Sequence, residues 1–421
     1  MCVRKGLSKV VAALLILTIA GFAGMAYFYV SYAQSSAKLS ALEGLYGRFS
    51  YRLKYVPLSD QPLSQALDTP RVGIVDITAY EQAPVLALMN VTGEVIIDGF
   101  TYYVGTVKGH PVVEVRAGEK DSSAEMAALL MDQYFNVTAA ILSGIGGSRN
   151  PYINTGDVVV GAFVINKGSV HFHNGNYMTD YGGDEMIVTN ASIIGNSVVT
   201  GYGEVGPVPA NASSYGYGPG TEDVSYVYVA ALAASAPLVR LASSYSSLGA
   251  MPIADITGEN STGLVQAKVV VGVISSGGFW TDPISLNAFQ NALYQADVGE
   301  NEGWGFAFAN AQYGVPWVII RGISNSHFYP GVFHGVLAAD RAAQVTAFVV
   351  ENLGSLSDLR QTVNYSMLSP ISEAKIHGYI VANRVYYSNN GTVTEVQYAN
   401  QQGQNVTVYN PTEYPSTLPS P

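Results

Sequence analysis

Residues 299–325, GENEGWGFAFANAQYGVPWVIIRGISN, contain one complete helix–strand unit with polar residues at both of its ends. Glu300 and Glu302 precede a segment that is predicted to be helical and to end at Gly314, because glycine readily adopts the left-handed conformation of a helix C-cap. The apolar run after the next proline predicts a buried strand, which closes on a Ser-Asn pair ending at Asn325. Two acids and one amide at the ends of such a unit are candidate site residues.

Short apolar runs that predict buried strands recur along the chain, at residues 71–77, 137–147 and 156–165. Ser122, with Glu125 three positions later, predicts the capped start of a helix between the first two of these strands. Strands that alternate with helices in this way form mainly parallel sheets covered by helices. The sequence therefore predicts an α/β fold.

Three further segments complete the secondary-structure prediction. Residues 101–118 are predicted to form a hairpin, and residues 228–245 a helix that Pro237 should break or kink. Beyond residue 358, alternating residues and an Asn-Asn-Gly turn predict two or three antiparallel strands. The predicted organisation has four parts: a signal anchor or signal peptide at 1–33, a stalk or linker with one short helix at 34–70, the α/β domain at 71–358, and a small β extension with a Pro/Ser tail at 359–421.

Composition excludes some classes of partner and site. The 421-residue chain is 48% apolar and can bury a large core, whereas only 12% of its residues are charged. Its net charge of −11 argues against a nucleic-acid partner, because phosphate binding requires clustered Lys and Arg. Cys2 is the only cysteine, so the sequence offers neither a disulfide framework nor a cysteine-based metal site.

The N-terminus predicts contact with a membrane. Arg4, Lys5 and Lys9 precede an uncharged run at residues 10–30, which is about the length that a membrane-spanning helix needs. The positive flank predicts that the rest of the chain lies outside the cell. An uncleaved anchor is favoured, and a cleaved signal peptide remains the alternative. Eight glycosylation sequons are consistent with export, at Asn90, Asn136, Asn190, Asn211, Asn260, Asn364, Asn390 and Asn405.

Several segments, in order, resemble a known family. They are RVGIVDITAYEQ, AAILSGIGG followed by INTGDVVVG, VISSGGFW, GENEG and VPWVIIRGISN. Together they resemble the nucleoside phosphorylase and nucleosidase family, which includes purine nucleoside phosphorylase and methylthioadenosine/adenosylhomocysteine nucleosidase. The C-terminal half is also similar to the fungal purine nucleoside permease branch, which carries a related Arg-x-x-Ser-Asn ending.

The resemblance implies a three-layer αβα sandwich with a twisted mixed sheet. It also implies cleavage of the N-glycosidic bond of a nucleoside, and assembly into a homo-oligomer. Ligands of such sheets bind beyond the carboxyl ends of the strands. The reaction passes through an oxocarbenium-like sugar, for which nearby carboxylates are useful.

The C-terminal motifs supply most of the implied substrate contacts. Glu302 corresponds to the glutamate that holds the ribose hydroxyls, since a carboxylate accepts from two adjacent O–H groups. Glu300 corresponds to the outer acid of the same motif, and Asn301 replaces a methionine that packs on the sugar. Asn325 corresponds to the residue that binds the purine edge. Because an amide cannot protonate the leaving base, His327 is the predicted proton donor.

The remaining implied contacts come from three other segments. Glu81 corresponds to the glutamate that activates water, although it could also be a surface helix residue. Phe279 corresponds to the aromatic residue that stacks on the base, with Trp280 beside it. Arg321 corresponds to an arginine beneath the site, and Ser324 to the neighbouring hydroxyl.

The phosphate site of the family is the part that this sequence does not reproduce. Leu142 and Ile145 stand where phosphorylases have an arginine and a serine, although Gly144 keeps the backbone shape. Three basic residues on nearby loops are candidates to replace the lost cation: Arg116, Lys120 and Arg149. Unless one of them does so, water is the predicted nucleophile.

Most of these candidates also have an ordinary structural explanation. Glu300 and Glu302 could simply favour the dipole of the following helix, and Asn325 could cap a turn. Phe279 and Trp280 could be core residues. The sequence therefore leaves more than one class of function open.

The predicted function is that of an extracellular, membrane-anchored nucleosidase or phosphorylase-like enzyme for purine nucleosides. No cofactor is expected, with inorganic phosphate as a conceivable co-substrate. Two alternatives remain open: a protein that binds nucleosides without cleaving them, and a surface protein that assembles by strand addition.

Overall fold

The structure is a computed structural model that describes residues 30–32, 34, 36, 38, 53–150, 152–168, 171–173, 176–178, 184–208, 224–229, 231–278, 296–326, 329, 331–369, 381–387, 393–399 and 405–409. The chain divides into two compact units, one of Met1–Lys54 with Ile96–Gly99 and the other of Tyr55–Val95 with Phe100–Pro421. All the site residues described below lie in the second unit.

The helices and strands are numbered in chain order. The helices are α1 Leu63–Asp68, α2 Ala79–Leu88, α3 Asp121–Tyr134, α4 Ala236–Ser243, α5 Ile253–Thr257, α6 Gly303–Tyr313 and α7 Gly335–Asn352. The strands are β1 Leu53–Pro57, β2 Arg71–Asp76, β3 Met89–Ile97, β4 Phe100–Val107, β5 His110–Arg116, β6 Val137–Ser148, β7 Val158–Asn166, β8 His171–His173, β9 Asn176–Met178, β10 Asp184–Ile194, β11 Ser197–Thr200, β12 Gly203–Pro207, β13 Val224–Val229, β14 Ala231–Ala233, β15 Ala250–Pro252, β16 Leu264–Gln266, β17 Val269–Ser276, β18 Val298–Glu300, β19 Trp317–Ser326, β20 Val381–Tyr387, β21 Val393–Ala399 and β22 Asn405–Tyr409.

A mixed sheet forms the centre of the second unit. From β3 onward its order is β3-β4-β5-β2-β6-β18-β17-β7-β14, and β19 pairs with both β6 and β7. Strands β6, β18, β17, β7 and β19 therefore form a closed ring, called the strand ring here. Pairing is parallel for β6 with β19 and for β17 with β7, but antiparallel for β18 with β6 and for β19 with β7.

Helices cover both faces of this sheet. Ile319 of β19 lies against the first residue of α6, where a Cβ atom added to Gly303 would be 3.0 Å from its Cδ1 atom. Gly322 of the same strand lies directly against the backbone of Ala338 in α7. Residues three apart on a strand point to opposite faces, so α6 and α7 lie on opposite sides of β19. The predicted α/β class and mixed sheet are confirmed.

The start of α2 explains why Glu81 points inward. Glu81 Oε2 accepts hydrogen bonds from the backbone N (2.9 Å) and the Oγ1 (2.6 Å) of Thr78, the residue before the helix. This is a capping box, in which the glutamate of the first turn turns back toward the N-cap. The capping box predicted at Ser122 is wrong, because α3 begins at Asp121 with Lys120 as its N-cap.

The helix predicted at residues 228–245 is wrong in its first half. That half is occupied by the last residues of β13 and by β14, which pairs with β7 at the edge of the sheet. Helix α4 begins only at Ala236 and carries Pro237 in its first turn, where a missing N–H costs no hydrogen bond. The proline therefore starts the helix rather than breaking it.

The predicted hairpin, the predicted C-terminal strands and the predicted membrane anchor have different outcomes. The predicted hairpin at 101–118 is present as β4 and β5, and the C-terminal strands are present as the antiparallel sheet β20-β21-β22. Within the described residues, no helix is both long enough and apolar enough to span a bilayer. The run predicted as a membrane anchor, residues 10–30, lies outside the described residues except for Val30.

Candidate active site

Arg321 is the centre of the candidate site. It lies in the middle of β19, paired with Gly144 of β6 and Val159 of β7, and its side chain is fully buried. Burial alone would lower the pKa of Arg321, but the charges of neighbouring carboxylates raise it. A buried arginine in such a place needs carboxylate partners, because an unpaired charge is strongly unfavourable there.

Glu300 and Glu302 both contact Nη2 of Arg321. Glu300 Oε2 is hydrogen-bonded to this nitrogen, and Glu302 Oε2 lies 3.2 Å from it. Glu300 also accepts hydrogen bonds from the backbone N atoms of Glu302 (3.0 Å) and Gly303 (2.8 Å), so it satisfies the exposed donors at the start of α6. Glu302 Oε1 accepts from the backbone N of Lys120 at 3.0 Å.

Glu302 is poised between its two protonation states. Burial raises the pKa of Glu302 to about 7, although the charge of Arg321 acts in the opposite direction and lowers it. The residue therefore carries a carboxylate for part of its population near neutral pH. A carboxylate held by a backbone N–H and a guanidinium can still accept hydrogen bonds from a ligand.

Glu81 approaches the same guanidinium from the other side. Its Oε1 atom lies 3.8 Å from Nη1 of Arg321 and accepts a hydrogen bond from the backbone N of Ile145 at 2.7 Å. Gly144 lies directly beneath this pair, since an added Cβ atom would be 2.6 Å from Glu81 Oε1 and closer still to Nη1 of Arg321. Nε and Nη1 of Arg321 have no hydrogen-bond partner among the described residues.

Ser324 and Asn325 lie at the end of β19. Ser324 Oγ is 2.8 Å from Oδ1 of Asn325 and 3.3 Å from the carbonyl oxygen of Gly146. The register pairs Asn325 with Gly147, which is paired in turn with Gly299. Asn325 is half-buried at this end of the strand, next to the segment that carries Glu300.

The structure therefore brings together Glu81, Gly144, Glu300, Glu302 and Arg321. Asn301, between the two glutamates, is half-buried and donates its backbone N to Glu302 Oε2 at 3.4 Å. Phe279, Trp280 and His327 lie outside the described residues, so their predicted roles stay predictions.

Two acids that the sequence did not single out lie beside Glu81. Asp76, the last residue of β2, and Glu114 of β5 are both fully buried. Gln82 Nε2 donates to both carboxyl oxygens of Glu114, at 3.0 and 3.1 Å. Burial raises the pKa of Glu114 to about 8, and burial and then the charge of Glu114 raise the pKa of Asp76. Their strands read as plain apolar runs, which hides such acids in the sequence.

A second group of charges lies on the other side of Glu300. Asp121 Oδ1 accepts from Ser276 Oγ at 2.6 Å and from the backbone N of Gly305 at 3.2 Å. Burial and then the charge of Glu300 raise the pKa of Asp121 to about 6. Lys167, which follows β7, is also buried here. Neither residue belongs to a motif that sequence reasoning could have recognised.

The three proposed substitutes for the phosphate-binding arginine have different surroundings. Arg116 is exposed, and Lys120 donates Nζ to the carbonyl oxygen of Gly278 at 3.4 Å. Arg149 is buried and donates Nη1 to Ser275 Oγ at 3.0 Å. No group of three or more potential metal ligands was found in the part of the chain that the structure describes.

Comparison with known proteins identifies the family. Residues 71–351 match the family model of the phosphorylase superfamily. Because this match covers well over half of the chain, the protein belongs to the phosphorylase superfamily, the family of nucleoside phosphorylases and nucleosidases. No match was found among curated protein sequences.

Solved structures provide a further comparison of the fold. A 5′-methylthioadenosine/S-adenosylhomocysteine nucleosidase from Neisseria meningitidis, in complex with methylthio-immucillin-A, has 20% identity, a TM-score of 0.46, and coverage of 67% of this chain and 99% of that chain. The Streptococcus pneumoniae nucleosidase has 21% identity, a TM-score of 0.45, and coverage of 67% and 99%. Futalosine hydrolase of Helicobacter pylori has 18% identity, a TM-score of 0.44, and coverage of 68% and 99%. The family assignment rests on the sequence match alone.

Proposed function

We propose that this protein hydrolyses the N-glycosidic bond of purine nucleosides. The observation that carries the proposal is the buried Glu81–Arg321–Glu302 arrangement above Gly144. Membership of a family of nucleoside phosphorylases and nucleosidases supports N-glycosidic cleavage as the reaction class. The finer assignment follows from what each group in this arrangement can do.

Glu302 is suited to hold the ribose. An ionised carboxylate accepts hydrogen bonds from the 2′ and 3′ hydroxyls at once, and Arg321 keeps it oriented. The developing positive charge on the sugar is then stabilised by nearby negative charge, which has a larger effect in a buried site than in water.

Glu81 is suited to orient the attacking water. Its Oε2 atom is hydrogen-bonded to Thr78, while Oε1 lies 3.8 Å from Arg321 Nη1 above Gly144. A water molecule there can donate to Oε1 and accept from Nη1, whose hydrogen-bonding capacity is unused among the described residues. Glu81 then takes the proton of the water as it attacks C1′.

The local charge favours water over inorganic phosphate. Glu81, Glu300 and Glu302 surround the guanidinium of Arg321, so an anion next to this guanidinium would be repelled by the carboxylates. The buried cations Arg149 and Lys167 lie near Glu300 instead. Ile145 occupies the position of the phosphorylase serine and contributes only its backbone N, which is bonded to Glu81. Phosphate as a co-substrate therefore remains the second candidate.

Asn325 is assigned to bind the edge of the base, and Phe279 and Trp280 are assigned to stack on the face of the base. An amide both donates and accepts, so it complements the edge of a 6-oxopurine such as that of inosine or guanosine. The Asn325 amide cannot donate a proton to the leaving base as a carboxylic acid would. An amide at this position would therefore also suit a protein that binds nucleosides without cleaving them.

We assign the reaction to the cell surface. The cationic flank and the apolar run at residues 10–30 would anchor the chain, with the catalytic unit outside and with a homo-oligomer as the expected assembly. Protease treatment of intact cells should digest a C-terminal tag. A tag that resists digestion until the cells are lysed would refute this placement.

The decisive experiment is product analysis with the purified full chain. Inosine, guanosine, adenosine and methylthioadenosine are each incubated with and without phosphate, and the free base is separated by chromatography. Free base without phosphate is expected, and base that appears only with phosphate would establish phosphorolysis instead. An intact nucleoside that nevertheless raises the melting temperature would indicate binding alone.

Matched variants connect the product to the site. Glu302→Gln should lower kcat/KM by roughly 100-fold or more. The amide accepts hydrogen bonds from the ribose less strongly than a carboxylate does, and Arg321 loses one of its negatively charged partners. Glu259→Gln, at an exposed glutamate remote from these contacts in sequence, should leave kcat/KM unchanged. Equal loss in both variants would contradict the assignment.

A further inference from the structure

Two buried acids, called the acid pair here, lie beside Glu81, and the reaction as described so far does not use them. They are Asp76 and Glu114, and both are 0% exposed. When the acids are ionised, neither carboxyl oxygen of Asp76 has a hydrogen-bond donor among the described residues. A buried carboxylate without a donor is strongly unfavourable, so Asp76 requires either a proton of its own or a protonated neighbour.

The register of the strands makes Glu114 that neighbour. Glu114 of β5 pairs with Ile74 of the parallel strand β2, and Asp76 follows Ile74 by two residues. Side chains two residues apart on a strand point to the same face, so Asp76 and Glu114 are diagonal neighbours with Cα atoms about 8 Å apart. A hydrogen bond joins their carboxyl groups. Two carboxyl groups can form such a bond only when one of them is protonated.

The charges around the acid pair also favour retention of a proton. The titratable and charged groups that face the pair come from four elements: Glu81 of α2, Tyr103 of β4, Arg116 of β5 and Arg321 of β19. Arg321 is already surrounded by three other carboxylates, and Arg116 is exposed, so its charge is screened by solvent. Neither cation therefore compensates two ionised acids.

Gln82 connects the acid pair to the proposed base. Its Nε2 atom donates to both carboxyl oxygens of Glu114, at 3.0 and 3.1 Å. Gln82 directly follows Glu81 in the first turn of α2, and the contacts between Glu81 and Thr78 hold the same turn. Glu114 thus fixes this turn from the side of the sheet. A displaced turn would change the 3.8 Å separation between Glu81 Oε1 and Arg321 Nη1.

We propose that Asp76 and Glu114 share a proton, and that this acid pair positions Glu81 for catalysis. The pair acts through Gln82 and does not touch the substrate, so its members are positioning residues. The shared proton stays between the two acids and is not transferred to the reactants. The positioning role rests on the proposed hydrolase function, whereas the shared proton can be measured without it.

The acid pair should make catalysis depend on pH above neutrality. Burial raises the pKa of Glu114 to about 8, against opposing hydrogen bonds and the charge of Arg116, and burial and then the charge of Glu114 raise the pKa of Asp76. Glu114 therefore keeps its proton at pH 7 and loses it as the pH rises through about 8. The loss removes the donor to Asp76 and adds a negative charge to a buried site. The first turn of α2 should then shift, and kcat should fall.

The test compares Glu114→Leu with Glu114→Gln in the full chain, with inosine as the substrate. Leucine removes both hydrogen bonds, so kcat should fall roughly 10- to 100-fold at pH 7 while KM changes less than about threefold, because the ribose site is not altered. Glutamine can accept from Gln82 and donate to Asp76 without a titratable proton. It should therefore keep kcat within about threefold of the wild-type value and abolish the decline near pH 8.

Further variants address folding and general effects. Gln82→Met breaks the connection but leaves both acids; it replaces the leucine variant if the latter does not fold, and it should lower kcat by a similar factor. Glu351→Leu and Glu351→Gln change an exposed glutamate near the end of α7 and should leave kcat and its pH profile unchanged. A Glu114→Gln protein that still declines near pH 8, or a Gln82→Met protein with wild-type kcat, would overturn the positioning role while hydrolysis stands.

Infrared spectroscopy tests the shared proton directly. Between pH 7 and pH 9 the wild-type spectrum should lose the C=O absorption of a protonated carboxyl group that the spectrum of Glu114→Gln does not contain. Identical spectral changes in the two proteins would overturn the shared proton. If the wild-type chain released no base from any nucleoside but showed this absorption, the hydrolase function and with it the positioning role would fail, whereas the shared proton would stand.

Discussion

Substitution of Gly144 by alanine tests whether the Glu81–Arg321 pair is assembled as described. The added methyl carbon would lie 2.6 Å from Glu81 Oε1, whereas ordinary contacts begin at about 3.4 Å, so the two groups must separate by about 0.8 Å. Arg321 Nη1 is closer still to the same position. Neither side chain can move freely, because Thr78 and Ile145 hold Glu81, and the carboxylates before α6 hold Arg321.

Two magnitudes follow from this overlap. Overpacking of a buried position typically destabilises a fold by about 1–3 kcal/mol, and we expect Gly144→Ala to fall in this range. A displacement near 1 Å of groups that orient the reacting atoms costs about 100-fold in rate, so kcat/KM should fall by roughly that factor. The loss should appear mainly in kcat, since Gly144 lies beneath the proposed position of the attacking water and not beneath that of the ribose.

The assay combines base release with urea-induced unfolding of the same preparations. Gly354→Ala is the matched control, because no atom lies within 4 Å of the added carbon and the backbone there is not left-handed. It should leave both the rate and the unfolding midpoint unchanged. A Gly144→Ala protein with wild-type activity and wild-type stability would refute the placement of Glu81 and Arg321 over this glycine. A protein that is destabilised but fully active would show that the pair has only a structural role.

Three further predictions concern single side chains. The ribose is proposed to bind the ionised form of Glu302, whose pKa is raised to about 7, so kcat/KM should rise as the pH rises through about 7. Glu302→Gln should abolish that rise, and an unchanged pH profile of kcat/KM in the variant would contradict the ribose-binding role of Glu302. The pKa of Glu114 is raised from 4.5 to about 8, so the folded state binds this proton more tightly than the unfolded state does, and the free energy of unfolding should decline by an amount on the order of 5 kcal/mol as the pH rises from about 4.5 to 8. Urea titrations at pH 5 and pH 8 should show that Glu114→Gln removes most of this decline. An equal decline in the variant and the wild-type protein would refute the prediction. Asn325→Asp should move the preference from inosine toward adenosine by about tenfold or more in kcat/KM, because a carboxyl group can give a proton to a 6-aminopurine; no change in the ratio would remove Asn325 from the base edge.

Sequence patterns predicted the strands that are continuous apolar runs and the helix–strand unit that closes the site. The runs at 71–77, 137–147 and 156–165 correspond to β2, β6 and β7, and the helix and strand predicted within 299–325 correspond to α6 and β19. Residues 228–245 were mispredicted because alanine and leucine are compatible with both a short edge strand and a helix. Pairing with β7 decides between them, and that information is not local.

The candidate site was only partly readable from the sequence. Glu81, Glu302 and Arg321 stood in motifs with family context, and the structure brings them together. Asp76 ends the apolar strand β2 and Lys167 follows the apolar strand β7, and only the order of the strands in the sheet reveals which charged groups lie near them. A charge of this kind becomes informative once its neighbours in space are known.

The closure of the strand ring also has a consequence for motion. Because β19 has hydrogen-bonded neighbours on both sides, its amides cannot exchange with solvent by fraying of a free edge. They should be among the slowest in the protein, with exchange governed by global unfolding. Arg321 would then keep its position before, during and after ligand arrival, and any opening that admits a substrate would have to occur in the segments attached to the ring.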